Sequence, residues 1–420
     1  MARRTRAKRP IEYSILYTAT LCTLATGALM VYSASSAESL LDGTGDPSMY
    51  LKRYVFLGLI GLGVMLFAAR RGLALVQKLT PLLLAASFFL VVAVMVPGVG
   101  ITVNGATRWL GAGPLQFQPS ELLKISLVLY TAQVLATRPR SVETLGGLFK
   151  PLLIVVGVAF ALLMKQPDMG TAMVICFAIG ALLIAAGTPL RHLGALGGGL
   201  AGMALVLAIV EPYRMERLTA FVNPFADAGD TGFQAVQGLT AIGSGGLFGV
   251  GLGESVQKIF YLPEAHTDMI LAIIGEEFGV VGIAGVAALY GMIGYAGLRT
   301  AKAARDRYSK LVATGITSLI LCQATLNFFA VLGMAPLTGV PLPFISYGST
   351  NLIVLLGGMG LLLNIAATGG MPARAAKPRR TTTPRLKAID GGLTREGGDS
   401  RRRDGGARRA GAGGRRRTAG

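Results

Sequence analysis

The feature that most constrains the fold is a series of apolar stretches, each long enough to form a helix across a lipid bilayer. A helix needs about 20 mostly apolar residues to cross the hydrocarbon core. Because the bilayer offers no hydrogen-bond partners, a spanning segment must pair its own backbone groups, which favours helices. The sequence therefore predicts an all-α polytopic membrane protein with about ten transmembrane helices, the fifth short and the eighth long. The predicted spans are 13–34, 54–69, 79–97, 120–137, 151–164, 169–187, 193–211, 268–298, 311–333 and 344–367.

The composition agrees with this class and argues against a soluble protein. Of the 420 residues, 52% are hydrophobic and only 15% are charged, whereas soluble domains carry about 25% charged residues. The 58 glycines suit helices that pack closely within a membrane.

The formal net charge of +19 is concentrated at the two ends of the chain. Residues 1–10 carry five basic side chains, and the segment from Met371 onward carries fifteen basic and four acidic ones. Basic segments beside membrane spans mark the cytoplasmic side, and a further basic group at 299–310 favours the same orientation. The pattern predicts that both termini are cytoplasmic. It gives no support for nucleic-acid binding, because no aromatic side chains alternate with the charges.

These patterns divide the chain into three parts. Residues 1–12 are predicted as a basic cytoplasmic tail, 13–367 as the transmembrane domain and 368–420 as a disordered Arg/Gly-rich cytoplasmic tail. The second tail cannot bury a core, and is either a solvated end or a tether for anionic lipid or an acidic partner. Two long outer loops, 98–119 and 212–267, are predicted to be folded and functional. The second is a large extracytoplasmic loop between helices seven and eight.

Three predicted helices carry a proline and a carboxylate at their outer ends. Proline fits the first turn of a helix, where its missing N–H costs nothing, and an acidic side chain there complements the positive helix end. This structural role is the alternative to a functional one for Glu121, Asp168 and Glu264. Asp268 fits it less well, because it precedes a long apolar run and would lie deeper. The segments are Gln118-Pro119-Ser120-Glu121, Gln166-Pro167-Asp168 and Leu262-Pro263-Glu264.

Basic and aromatic side chains flank these carboxylates. Lys124 follows Glu121 by three residues, so both lie on one helix face and an internal ion pair is predicted. Arg108 and Trp109 lie in the preceding outer loop, where Trp109 is either a substrate contact or an interfacial aromatic residue. Lys165 lies just before the second of the three prolines.

Glu276 and Glu277 fall inside the predicted eighth span. Consecutive residues point about 100° apart around a helix, so the two carboxylates cannot face one partner. At least one of them is predicted to pair inside the protein, in a structural role.

One carboxylate among several cations suits a reaction that needs a single base. When the leaving group is a lipid diphosphate, no acid is needed to protonate it, unlike the sugar leaving group of glycoside hydrolysis. A carboxylate would deprotonate an acceptor hydroxyl, and a basic side chain or a divalent cation would neutralise the diphosphate. A transporter could use the same charges along a substrate path, so both interpretations stay open. The cations on the correct side are Arg108, Lys124, Lys165, Arg214 and Arg217.

A set of spaced motifs runs through the chain in one order. They are Val31-Tyr32-Ser33-Ala34-Ser35, the segments 104–110, 118–124 and 166–172, Asn223-Pro224, Gly232-Phe233-Gln234, the segments 249–253 and 262–279, and a closing signature from Asn327 to Gly348. On these motifs the chain resembles the SEDS family (shape, elongation, division and sporulation) over about residues 13–367. Ser349 stands where the family usually has a second glycine, and its small side chain preserves close helix approach.

The resemblance implies a peptidoglycan glycosyltransferase that polymerises lipid II at the outer face of the cytoplasmic membrane. It implies that Asp268 deprotonates the GlcNAc 4-hydroxyl, which displaces undecaprenyl diphosphate with inversion. Arg108, Glu121 and Lys124 match family positions that line the substrate cavity. A divalent cation, Mg or Mn, is expected at an unknown position, and no organic cofactor is expected.

The resulting site prediction assigns catalysis to Asp268 and substrate binding to nine residues. Expected partners are lipid II, the nascent glycan strand, other division proteins and a class B penicillin-binding protein, which supplies the transpeptidase that this chain lacks. The predicted substrate-binding residues are Arg108, Trp109, Glu121, Lys124, Lys165, Asp168, Glu264, His266 and Ser346.

The Ala265-His266-Thr267 spelling and the basic tail favour a cell-division member of the family over an elongation member. The protein is therefore expected in the bacterial cytoplasmic membrane at the division septum, where its tail would meet an acidic peptide of the division ring. A lipid II flippase, an elongation-type polymerase and a non-catalytic scaffold are the competing hypotheses.

Overall fold

The computed structural model describes residues 10–41, 45–103, 105–112, 115–210 and 212–369. Both predicted tails therefore lie almost wholly outside the described residues. The helices are α1 (Ile11–Leu41), α2 (Met49–Arg71), α3 (Leu73–Val94), α4 (Pro119–Thr137), α5 (Leu145–Leu148), α6 (Ile154–Lys165), α7 (Met169–Ala186), α8 (Leu190–Val210), α9 (Pro212–Val222), α10 (Phe233–Gly245), α11 (Ile270–Ala303), α12 (Arg307–Val331) and α13 (Ser349–Thr368). The strands, which lie between α3 and α4, are β1 (Ile101–Val103), β2 (Ala106–Ala112) and β3 (Leu115–Phe117).

Each predicted span contains one of these helices, and the chain is a multi-pass helical membrane protein. Within the described part, seven helices are long and apolar enough to cross a membrane, namely α1, α2, α3, α7, α11, α12 and α13. The apolar helix α6 has only 12 residues. A π-helical turn at Phe149–Leu153 interrupts this fifth span, since Pro151 has no N–H for a regular helix. The number of ten spans stays a prediction.

The first outer loop is folded, as predicted, but it forms a small antiparallel sheet that adds to the all-α prediction. β1 pairs with β2, with Thr102 opposite Thr107, and β2 pairs with β3, with Gly111 opposite Gln116. Two of the strands have only three residues each, which is too short for an alternating pattern to be recognised. β3 ends directly before Pro119, so the sheet leads into the N-terminus of α4.

The second outer loop is folded too. It contains α9, a 3-10 turn at Pro224–Asp227, α10 and a series of turns that ends at Met269. The described residues of this loop are folded, and its position on the extracytoplasmic side stays a prediction.

The eighth predicted span is broken rather than continuous. Gly279 has φ 66° and ψ −162°, which interrupts the 34-residue α11 after its first nine residues. An interrupted helix in a membrane leaves backbone groups that need new partners. The turn after α10 supplies them through four bonds: Val250 N to Glu276 O at 2.9 Å, Gly251 N to Glu277 O at 3.1 Å, Val280 N to Gly246 O at 3.0 Å and Val281 N to Leu247 O at 3.2 Å.

The helices pack closely around α12, which contacts α4, α7, α11 and α13. Small residues permit close packing between other helices too. A Cβ added at Gly360 on α13 would lie 2.3 Å from the Met65 carbonyl oxygen on α2. The segment 332–348 crosses between α12 and α13. Buried tyrosines hold it in place, because the Tyr54 and Tyr290 hydroxyls donate to its backbone carbonyls. The closing signature is therefore an ordered loop inside the helix bundle.

Candidate active site

Asp268 lies in a tight turn just before α11 rather than inside the helix. The backbone N–H groups of Thr267 and Met269 both donate to the Glu264 carbonyl, at 3.1 and 3.3 Å. Asn327 on α12 anchors this turn, because its side-chain nitrogen donates to the Asp268 carbonyl at 2.6 Å. α12 therefore sets the position of the predicted catalytic residue.

The structure corrects the interpretation of the third proline segment as a helix start. α11 begins at Ile270, so Pro263 and Glu264 lie ahead of its first turn. Glu264 has φ 57°, a left-handed conformation that suits a tight turn. The helix-end role proposed for the Glu264 carboxylate is therefore wrong, and the side chain is exposed.

The Asp268 carboxylate is half-buried, in surroundings that favour its neutral form. Burial, followed by the nearby Glu264 carboxylate, raises the pKa of Asp268 from 3.8 to about 6. The Thr267 hydroxyl lies 2.7 Å from Glu264 Oε2 and 3.2 Å from Asp268 Oδ1, and its single hydrogen serves one of them at a time. At neutral pH the Asp268 carboxylate is therefore mostly ionised yet more basic than an ordinary aspartate.

A tight pocket at Asp268, without room for a water molecule, lies beside a larger cavity. Asn327 and the 337–340 segment line the pocket, and the Gly339 backbone, with φ 65°, passes close to the carboxylate. The neighbouring cavity has a volume of about 460 Å³ and lies between α9, α10 and the segment that follows α12. Ala330 and Leu337 line both spaces, so the cavity reaches the wall of the Asp268 pocket.

The predicted ion pair between Glu121 and Lys124 is confirmed. Lys124 Nζ lies 2.9 Å from Glu121 Oε1, and both side chains are 2% exposed. Lys124 also donates to Gln323 Oε1 at 3.0 Å, and Gln323 donates to the Pro341 carbonyl at 2.8 Å. The pair thus connects through α12 to the segment beside Asp268. Its predicted contact with substrate stays a prediction.

Asp168 serves as the N-cap of α7, so the structural role considered for it is confirmed. Its carboxylate accepts from the Thr171 N–H at 3.3 Å and from the Ser120 hydroxyl at 3.0 Å. Pro119 is the first residue of α4, as predicted, whereas Pro167 precedes the cap and has φ 27°. The interpretation of Pro167 as a first-turn proline is wrong, because the Asp168 cap comes after it.

Arg108 and Trp109 lie on β2 and contact other parts of the outer side. Arg108 Nε donates to the Gln166 carbonyl at 3.0 Å, and another nitrogen of its guanidinium donates to the Pro167 carbonyl. Trp109 pairs with Ile101 across the sheet. Arg108 thus ties the sheet to the turn before α7. Substrate contacts by Arg108 and Trp109 stay predictions.

His266 and Ser346 lie where the turn before α11 meets the closing signature. His266 Nδ1 is 3.2 Å from Glu38 Oε2 on α1, and its ring centroid is 4.4 Å from that of Tyr50. The Tyr347 N–H donates to the His266 carbonyl at 3.0 Å. The Ser346 hydroxyl accepts from the Leu342 N–H at 2.8 Å, and both side chains are buried. The closing signature therefore contacts the segment just before Asp268 through the Tyr347 backbone N–H.

Glu276 and Glu277 are both paired, in agreement with the predicted structural role. Glu277 Oε1 lies 2.9 Å from Lys258 Nζ and accepts from the Ser33 hydroxyl at 2.5 Å. Glu276 accepts from the Ser255 hydroxyl and from the Val256 N–H at 3.0 Å. The two carboxylates bind different parts of the segment that precedes the Asp268 turn, as their separation around the helix requires.

Sequence reasoning missed two of the groups at this site. Asn327 was noticed only as the start of the closing signature, and Thr267 only as a part of its motif. Asn327 lies 59 residues from the turn that it anchors, so no spacing pattern could reveal it. Thr267 is next to Asp268, but only the fold of the turn brings its hydroxyl between the two carboxylates. Lys165 is exposed at the end of α6, and the Arg214 side chain lies outside the described residues.

The chain matches the family model FTSW_RODA_SPOVE, a cell cycle protein family, over residues 13–369. It is 40% identical over 348 residues to the probable peptidoglycan glycosyltransferase FtsW of Geobacter sp. (strain M18), which covers 81% of this chain and 92% of the relative. It is 43% identical over 350 residues to the probable FtsW of Thioalkalivibrio sulfidiphilus, which covers 82% and 87%. Stage V sporulation protein E of Bacillus subtilis is 39% identical over 355 residues, covering 84% and 96%.

Solved structures resemble the chain along the same length. One is a chain from a study of the structural coordination of polymerization and crosslinking by a peptidoglycan synthase complex. It has a TM-score of 0.68 and 30% identity, and the match covers 84% of this chain and 96% of that chain. The rod shape determining protein RodA of Thermus thermophilus has a TM-score of 0.61 and 28% identity, covering 85% and 97%.

Proposed function

Because the chain belongs to the FTSW_RODA_SPOVE family of cell cycle proteins, we propose that it polymerises lipid II into glycan strands with Asp268 as the base. The chain is a peptidoglycan glycosyltransferase of the membrane, as its relatives with about 40% identity are named. The observation that carries the assignment of the base is the Asp268 carboxylate itself, whose pKa is raised to about 6 and whose turn is anchored by Asn327 beside a cavity.

The geometry supports a single-base transfer at the outer face. The Asp268 carboxylate accepts the proton of the GlcNAc 4-hydroxyl, and that oxygen attacks the anomeric carbon of the MurNAc on the growing strand. Undecaprenyl diphosphate leaves from the opposite side, so the configuration inverts. A pKa of about 6 keeps Asp268 ionised at neutral pH while retaining basicity that an ordinary aspartate lacks.

A divalent cation remains part of the proposal. Among the described residues, no group of three His, Cys, Asp or Glu side chains could hold a metal ion. Mg²⁺ is commonly held by one or two carboxylates together with substrate phosphates. The residues that would hold such a cation stay unassigned, and its role would be to neutralise the diphosphate.

The likeness to the peptidoglycan synthase complex supports a partner that crosslinks the strands. We propose a class B penicillin-binding protein as that partner, at the division septum, since relatives named FtsW predominate among the similar proteins. The basic tail beyond residue 370 is proposed to bind an acidic peptide of the division ring.

The test is lipid II polymerisation by the purified chain together with its transpeptidase partner. We expect glycan strands from the wild type and none from Asp268→Asn. Asp46→Asn is the matched control, because Asp46 is an outer carboxylate whose partner is the exposed Lys52, at 2.7 Å. Polymerisation by Asp268→Asn would refute the assignment of the base. Transfer of fluorescent lipid II across vesicles without any glycan product from the wild type would establish a flippase instead.

A further inference from the structure

The sequence left five cations as candidates for binding the diphosphate, and the structure distinguishes among those whose side chains it describes. Lys124 is buried in its ion pair with Glu121 and donates to Gln323. Arg108 donates two hydrogen bonds to backbone carbonyls at the turn before α7, starting with that of Gln166 at 3.0 Å. Both cations therefore have structural partners around the site rather than in its cavity.

Arg217 is placed differently, because it lines the 460 Å³ cavity. It lies on α9, and its Nη1 donates to the Leu337 carbonyl at 2.9 Å. Leu337 is also a wall residue of the Asp268 pocket. Arg217 and Asp268 are therefore on two sides of one shared wall. Among the described residues that line the cavity, Arg217 is the one cation.

The other polar side chains of the cavity have partners of their own, and one of these partners lies just before the Asp268 turn. The Gln234 amide on α10 donates to the Pro263 carbonyl at 3.4 Å. The Thr231 hydroxyl donates to Asp227 at 3.0 Å. The rest of the lining is mostly apolar, so Arg217 supplies the positive charge of the cavity wall.

We propose that this cavity receives the diphosphate of the lipid-linked donor and that the Arg217 guanidinium is its cationic ligand. The inference rests on the proposed function. A planar guanidinium matches phosphate oxygens with two parallel N–H donors, so Arg217 suits a diphosphate better than a lysine would.

The chemistry of the transfer explains why a cation is needed there. The acceptor oxygen loses its proton to Asp268 and forms a bond to the anomeric carbon. The bond from that carbon to the diphosphate oxygen breaks, and its electron pair leaves with the diphosphate. Negative charge on the leaving group therefore grows during the step, so a cation beside it stabilises the transition state more than the bound substrate.

The experiment separates binding from turnover by using the Asp268→Asn background. The affinity of the purified complex for undecaprenyl diphosphate is measured with and without Arg217→Gln, and undecaprenyl monophosphate is the comparison lipid. We expect Arg217→Gln to weaken diphosphate binding by about tenfold to hundredfold, as for a lost charge-assisted hydrogen bond, and to affect the monophosphate less. The diphosphate affinity of Arg217→Lys should lie between those of the Arg217 parent and Arg217→Gln, because lysine keeps the charge but lacks the two parallel N–H donors.

Lys52→Gln is the matched control, since it removes an exposed outer cation that pairs with Asp46. It should leave both affinities unchanged. Equal affinity of Arg217→Gln and its parent for undecaprenyl diphosphate would overturn the inference. So would an equal loss for both lipids accompanied by a lower unfolding temperature, since that result marks a structural role through Leu337.

The two proposals fail in different ways. If the wild type polymerises lipid II but Arg217→Gln binds undecaprenyl diphosphate as tightly as its parent, only the inference about Arg217 is wrong. When the wild type forms no glycan, the proposed function is wrong as well.

Discussion

The side-chain nitrogen of Asn327 donates to the Asp268 carbonyl at 2.6 Å and to the Val340 carbonyl at 2.9 Å. One amide group thus joins the turn that carries the base to the segment that forms the opposite wall of the pocket. The Asn327 amide therefore positions the Asp268 carboxylate indirectly, by holding the backbone of its turn.

Replacement of Asn327 by leucine should therefore impair catalysis more than substrate affinity. A misplaced catalytic group commonly costs about a hundredfold in rate, so we expect kcat to fall by about tenfold to hundredfold with a smaller change in KM. Steady-state polymerisation by the purified complex is the measurement.

Asn364→Leu is the matched control, because Asn364 donates to the Ala69 carbonyl at 2.7 Å at the far end of α13. Each variant should lose about 1–3 kcal/mol of stability, but only Asn327→Leu should lose kcat. An unchanged kcat in Asn327→Leu would show that the amide does not position Asp268.

The rate of polymerisation should depend on the protonation of Asp268. Its pKa of about 6 means that kcat falls about tenfold for each pH unit below that value, since only the ionised carboxylate accepts a proton. Removing the Glu264 charge favours ionisation of Asp268, so Glu264→Gln should move this acidic limb to lower pH. Rates measured between about pH 5 and 8 test both statements. A limb at the same pH in wild type and variant would contradict the coupling between the two carboxylates.

Asp268→Asn should be at least as stable as the wild type at neutral pH. The folded-state pKa of about 6 lies above the ordinary value of 3.8, so ionisation of Asp268 opposes folding. The wild type should therefore lose stability as the pH rises from 3.8 to about 6, and the asparagine variant lacks this loss. Thermal unfolding of both proteins at pH 7.5 is the measurement. A clearly lower midpoint for the variant would mean that the charge stabilises the fold.

The buried pair between Lys258 and Glu277 should matter far more for stability than an exposed one. Lys258→Met leaves the Glu277 carboxylate without its cation, at a side chain that is fully buried, and a broken buried pair costs about 3–5 kcal/mol. Lys52→Met breaks an exposed pair of similar length and should cost less than about 1 kcal/mol. Unfolding temperatures in detergent give the comparison.

The double variant Lys258→Met with Glu277→Gln should recover part of the loss, because no charge is then left unpaired. If Lys258→Met and Lys52→Met unfold at the same temperature, the buried pair stabilises the fold no more than the exposed one.

Local patterns predicted the features that depend on nearby residues. The apolar runs placed a helix in each predicted span, and the three-residue spacing predicted the pair of Glu121 with Lys124. The proline at Pro119 marked the start of α4. The same signal failed at Pro263, because α11 starts seven residues later and the intervening turn is held by Asn327 on another helix.

The amino-acid sequence alone determined the membrane class, through hydropathy, and the spaced motifs whose resemblance to the family points to Asp268 as the candidate base. Only the tertiary structure decided that α11 is broken at Gly279, that Asn327 lines the Asp268 pocket and that Arg217 lines the cavity next to it. The physical reason is that these features rest on hydrogen bonds and packing between segments far apart in the chain. The Gly246–Gly251 turn completes the broken helix, and α9 and α12 bring their side chains to two neighbouring spaces that share Ala330 and Leu337.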